Sequence, residues 1–163
     1  MTSYLQIQVM QGDTPFGIRH YWKSQFTDEL SNDLIYDIVD HYQAQPSGSM
    51  SSILIEPVHG EATRVPLDAT AFGRRAPGFN VSVLGHWRDS AGDVAEISWV
   101  RTGAALITAR NPGGGGYLNY AAPDEPQERV RAAFGEEKYA RLLKVKQRVD
   151  PDNIFRFNHN IRP

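Results

Sequence analysis

Cysteine is absent from the 163 residues, which excludes disulfides, thiolate metal ligands and a cysteine nucleophile. Charge of one sign is also missing: 17 Lys and Arg against 19 Asp and Glu leave a formal net charge of −2. Such a balance gathers neither nucleic acid nor an anionic membrane surface. No apolar run approaches the roughly 20 residues that a membrane-spanning helix needs. The opening MTSYLQIQVMQGD lacks the basic start, apolar centre and small-residue cleavage site of a signal peptide. The expectation is a cytoplasmic protein without nucleic-acid or membrane partners.

Histidine is sparse and scattered. His20, His41, His59, His86 and His159 include no pair at the spacing of helical metal ligands, so no zinc site is expected. A Gly-x-Ser-x-Gly elbow to place a catalytic serine is missing too. With 40% apolar and 22% charged residues, the composition fits one globular domain spanning residues 1–163.

The patterning suggests an α+β domain, a mostly antiparallel sheet covered by helices. SYLQIQVM alternates, with Leu5, Ile7 and Val9 on one face, and predicts a half-buried strand; DTPFG predicts a turn. IRHYWKSQF, ILIEPV and FNVSVLGHW predict further strands, and ATRVPLDATAF another extended stretch broken by Pro66. Ser31 is placed to cap a helix carrying Leu34, Ile35, Ile38, Val39 and Tyr42 on one face. Asp93 and Glu96 form a capping-box pattern before Ile97, Val100, Ala104 and Ile107. Two helices follow in DEPQERVRAAFG and EEKYARLLKVKQRV, the second with Tyr139, Leu142, Leu143 and Val149 inward.

The stretch GGGGYLNY, Gly113 to Tyr120, is where chemistry concentrates. It is not a phosphate loop, because a helix precedes it and no Lys-Ser or Lys-Thr pair follows. On a strand, Tyr117 and Asn119 would share one face and Leu118 and Tyr120 the other. Their polar tips need partners, met by ordinary packing or by a ligand. Asp68 in RVPLDATAF is a turn former or a site carboxylate, and Lys23 in YWKS is a surface lysine or a ligand contact.

In order along the chain, GIRHYWKSQF, RVPLDATAFGRR, FNVSVLGHW, GGYLNY and RVRAAFGEEKYARLLKVKQRVDPDNIFRFNHNI resemble the berberine-bridge-enzyme-like FAD-linked oxidases. Residues 1–112 resemble that family's substrate domain and residues 113–163 its closing segment. The resemblance implies a sheet over the reactive face of a flavin and a tyrosine base, hence Tyr117 or Tyr120, with Asp68 as a weaker candidate. It further implies Asn119, Asn158 and Asn160 on the flavin side and Trp22, Lys23 and His86 among the substrate contacts. Here Arg74 stands for the family's histidine after TAF, and His159 for its glutamine in NQNI. The cofactor implied is FAD, held mainly by a domain that precedes these motifs in the family. The expected arrangement is therefore a chain that does not bind FAD alone, partnered by a FAD-binding subunit or a second copy of itself. Its substrate would be a small alcohol, sugar or natural-product intermediate. A cofactor-free isomerase, cyclase or lyase, or a non-catalytic binding module, are the alternatives.

Overall fold

The computed structural model describes residues 2–9 and 16–162. Three strands, β1 (Arg19–Thr27), β2 (Ser52–Val58) and β3 (Gly78–Trp87), form one antiparallel sheet in the order β1-β3-β2. Helices α2 (Asn32–Gln43) and α4 (Asp93–Arg110) cover one face, so the expected α+β architecture is the observed one. Val81 and Val83 of β3, wholly buried, pack with Leu34 and Ile38 of α2 and Trp99, Val100 and Ile107 of α4. Among the described residues no helix is long and apolar enough to cross a membrane.

Polar locks fix the helices on this core. His41 and Trp99 stack at 4.7 Å, His41 Nε2 donates to the Trp99 carbonyl at 3.0 Å, and Trp99 Nε1 donates to the His41 carbonyl at 3.0 Å. Asp93 does not cap α4. It takes two bonds from Arg19 at 2.6 and 2.7 Å and one from Trp87 Nε1 at 2.7 Å, joining the helix start to β1 and β3. Glu96, 3% exposed, turns instead to Ser49 and Ser51, whose hydroxyls donate to it at 3.0 and 2.9 Å. The capping-box pattern is therefore used for tertiary bonding.

Other expectations need correction. Residues 4–8 form a short helix, α1 (Tyr4–Gln8), closed by a reciprocal Ser3–Gln6 capping box, and Leu5, Ile7 and Val9 are exposed. Met10 and residues 13–15 of the expected turn lie outside the described residues. ATRVPLDATAF is not extended: it holds part of the short helix α3 (Glu61–Arg64), and turns follow. Near the C-terminus, α5 (Gln127–Phe134) and α6 (Glu136–Val149) pack on each other, with Tyr139 buried but Val149 65% exposed.

The glycine run serves the sheet. Residues 111–117 bind the outer edge of β1: Phe26 N–H donates to the Gly115 carbonyl at 2.9 Å and Asn111 Nδ2 to the Phe26 carbonyl at 3.0 Å. A Cβ on Gly114 would overlap the Phe26 carbonyl oxygen, whereas one on Gly113 would meet nothing within 4 Å. Gly114→Ala is expected to destabilise the fold by about 1–3 kcal/mol, the usual cost of forcing atoms into a packed site. Gly113→Ala serves as the near-neutral control, and urea midpoints of the two variants check the difference.

Candidate functional site

Strand alternation divides β1 between two environments. Arg19, Tyr21, Lys23 and Gln25 face the helices, where they bond to Asp93, Arg101, Asp124 and Thr108 among others. His20, Trp22, Ser24 and Phe26 face the other side, in register with His86, Leu84, Ser82 and Asn80 of β3. Leu54 and Glu56 of β2 continue that side opposite Ser82 and Asn80. On this side residues 116–121 arch over the sheet.

The arch is pinned by Ser24, whose side chain accepts from Tyr117 N–H at 2.8 Å and donates to the Tyr117 carbonyl at 3.1 Å. YLNY is not a strand but a single tight turn, Leu118–Tyr120. Positions three apart in such a turn eclipse, so Tyr117 and Tyr120 lie together, ring centroids 5.2 Å apart and edge to face. The expected opposition of the two tyrosines is thus corrected. Asn119 Nδ2 donates to the Tyr117 hydroxyl oxygen at 2.7 Å. Phe26 and Phe72 complete the surroundings of Tyr117, at the mouth of a 290 Å³ cavity that Arg74 and Phe134 also line.

Tyr120 sits between Trp22, 6.0 Å away edge to face, and Glu56, to which its hydroxyl donates at 3.4 Å. Burial, and then the Glu56 charge, push the Tyr120 phenol above its ordinary value. Trp22 Nε1 donates to His86 Nε2 at 3.2 Å, which requires that nitrogen to be unprotonated. Burial, reinforced by His20, holds the His86 pKa below its ordinary value, in keeping with that bond.

Tyr117, Tyr120, Asn119, Trp22 and His86 therefore converge. Two other sequence candidates do not. Lys23 points to the helix side, where it pairs with Glu125 and Asp124, because neighbours on a strand must face opposite ways. Asp68 lies in a turn against α6, its carbonyl accepting from Arg141 at 3.4 Å, and it opens on a cleft lined by Lys138 and Arg141. Asn158 and Asn160 line a separate polar cleft of 530 Å³ with Arg156 and Arg162. Between them, His159 Nε2 donates to the Leu118 carbonyl at 3.1 Å and ties this tail to the tyrosine turn.

Glu56 and Asn80 were missed. Asn80 Nδ2 donates to Glu56 Oε2 at 2.9 Å beneath Tyr120. The signal was present: a carboxylate inside ILIEPV and an amide inside FNVSVLGHW sit at the outward beat of otherwise apolar strands.

The family described as Berberine and berberine like matches residues 116–162. FAD-linked oxidoreductase OXR1 of Pyricularia oryzae is 39% identical over 126 residues, covering 72% of this chain and 24% of that protein. Aclacinomycin-N/aclacinomycin-A oxidase of Streptomyces galilaeus is 31% identical, over 64% of this chain and 22% of that enzyme. The structure of berberine bridge enzyme from Eschscholzia californica superposes with a TM-score of 0.76 at 20% identity, over 92% of this chain and 34% of that one. The chain thus spans 22–24% of these two relatives' length and 34% of that structure.

On the helix side, Asp124 gathers Tyr21, Lys23 and Arg101. Burial pulls its pKa up, but bonds from Arg101, Tyr21 and Lys23 outweigh this and hold it at about 2, below the ordinary 3.8. A depressed carboxylate contributes stability that is full above the unfolded value and lost as pH falls through the folded one. The wild-type chain is expected to lose this contribution between pH 4 and pH 2, and Asp124→Asn to lack that step. With the side chain 42% exposed, water screening keeps the step below about 1 kcal/mol. Urea midpoints across that range measure it.

Proposed function

We propose that this chain, which belongs to the berberine-bridge-enzyme-like family of FAD-linked oxidoreductases, forms the substrate-facing part of such an oxidoreductase. It would act on a small alcohol, sugar or natural-product substrate, with the flavin held by a partner polypeptide. The observation that carries this reading is the convergence of Tyr117, Asn119, Tyr120, Trp22 and Glu56 over one sheet face. Planar side chains with polar tips fit one face of a flat ring system and a substrate beside it.

The fit is one-sided. A diphosphate needs a cradle of free backbone N–H groups, whereas the glycine run is laid against β1, with the Gly114 N–H donating to the Asn111 carbonyl at 3.2 Å and the Gly115 carbonyl taken by the Phe26 N–H at 2.9 Å. The described residues therefore suit the ring and not the dinucleotide tail, which favours a flavin-holding partner over a second copy. When bound, the flavin supplies the two-electron acceptor. The chain's own part is to orient the substrate and take its proton. Tyr117 is the base in this reading, its oxygen steadied by the Asn119 amide and its ring by Phe26 and Phe72. The Glu56–Tyr120 contact favours cofactor-free acid–base chemistry as the second reading.

The isolated chain is expected to purify colourless and to stay so after incubation with FAD and desalting; stoichiometric yellow flavin on the chain alone would refute the need for a partner. In a reconstituted complex with a flavin-holding polypeptide, Tyr117→Phe should lower turnover by roughly two to four orders of magnitude, the range for a lost general base. Its urea midpoint should barely move, since only a hydroxyl is removed. Unchanged turnover would take the base role from Tyr117.

A further inference from the structure

We propose that the sheet face contains a subsite for a protonated amine, built by Glu56, Asn80 and the rings of Tyr120 and Trp22. The inference rests on reading this face as substrate-facing and adds the chemical class of the group it accepts.

Glu56 occupies an outward position of β2, and among the described residues no Lys or Arg forms an ion pair with it. Its partners are neutral: Asn80 Nδ2 at 2.9 Å and the Tyr120 hydroxyl at 3.4 Å. The second contact is long for an O–H donor, so Oε1 is poorly satisfied. Asn80 is 3% exposed and spends Nδ2 on Glu56 and, at 3.1 Å, on Ser82 Oγ. Its Oδ1 has no partner at all. Exchanging the amide's oxygen and nitrogen would set oxygen against the carboxylate, so the orphan acceptor cannot be cured locally. A carboxylate without a counter-ion and a buried carbonyl oxygen without a donor lie side by side.

Such a cluster has acceptors in excess and needs donors. An ammonium group carries up to three N–H donors and the opposite charge. The walls suit it too: Trp22 and Tyr120 meet edge to face at 6.0 Å, and their negative ring faces attract a cation but not a second anion. Among the described residues the other ionisable side chains on this face do not pair with Glu56: Arg74 lies over the Phe26 ring and bonds to Asp28, and His20 and His86 stand opposite each other six residues along β3 from Asn80. His86 accepts from Trp22 and is therefore unprotonated there.

The test compares benzylammonium with benzyl alcohol, two probes of one shape and different charge, titrated at pH 7 into the ¹⁵N-labelled chain without flavin. Benzylammonium should shift the Asn80 side-chain amide and Trp22 indole signals saturably, at a concentration about tenfold lower than benzyl alcohol, the factor a 1.4 kcal/mol charge-assisted contact gives. Glu56→Gln, which keeps the shape, should erase that preference, and Glu56→Asp should retain part of it; the spectra themselves report whether each variant is folded. Equal binding of both probes, no shift with either, or a preference that survives in Glu56→Gln would overturn the subsite. A preference for the cation in a chain that never pairs with a flavin partner would keep the subsite and remove the oxidoreductase reading.

Discussion

The exchange of hydrogen bonds between Ser24 and the backbone of Tyr117 is the contact on which the rest of the site depends. One hydroxyl satisfies both an N–H and a C=O of an arriving segment, at a position 4% exposed where neither could find water. Around it, Phe26 and Asn111 bond the same segment to the β1 edge, so the glycine run is laid down almost as a further strand. Only a chain with no side chain at Gly114 can lie so near. The direction in which the tight turn emerges, and thus where Tyr117 and Tyr120 stand, follows from that seat.

β1 serves two masters because a strand must. Its helix-facing residues build a polar belt: Gln25, 1% exposed, donates to the Asn111 carbonyl at 3.0 Å and accepts from Arg129 at 3.1 Å. Lys23, Glu125 and Arg129 form a linked run of ion pairs beside it. This belt fastens the segment after the tyrosine turn to the sheet from behind, while Ser24 fastens it from the front. The tail adds a third tie through His159 and the Leu118 carbonyl. The turn is thereby held from three directions, from the face it shapes by Ser24 and from elsewhere by the belt and the tail.

Much of the fold was legible because long periodic segments are buried on one side. FNVSVLGHW became the central strand, and the three-and-four spacing in α2 and α4 marked the faces that meet Val81 and Val83. Short segments misled for the opposite reason. SYLQIQVM alternates like a strand, but a local capping box decided residues 4–8, which bury no side chain. YLNY alternates as well, yet its path is set by distant bonds to β1, which no local pattern encodes. Lys23 and Trp22 could have been separated from the start, since adjacent strand residues cannot share a face. Glu56 and Asn80 become meaningful only when β2 and β3 are in register, which pairs them across the sheet.

The two-sided use of β1 has a consequence for how such a chain can change over generations. Substitutions at His20, Trp22, Leu54 or His86 alter the open face without entering the packing among α2, α4 and the sheet. Substitutions at Tyr21, Lys23 or Gln25 disturb that architecture and leave the lining of the face unedited. Ligand preference and structural integrity are therefore written on alternate letters of the same strand. A lineage can explore new chemistry on one set while selection holds the other fixed.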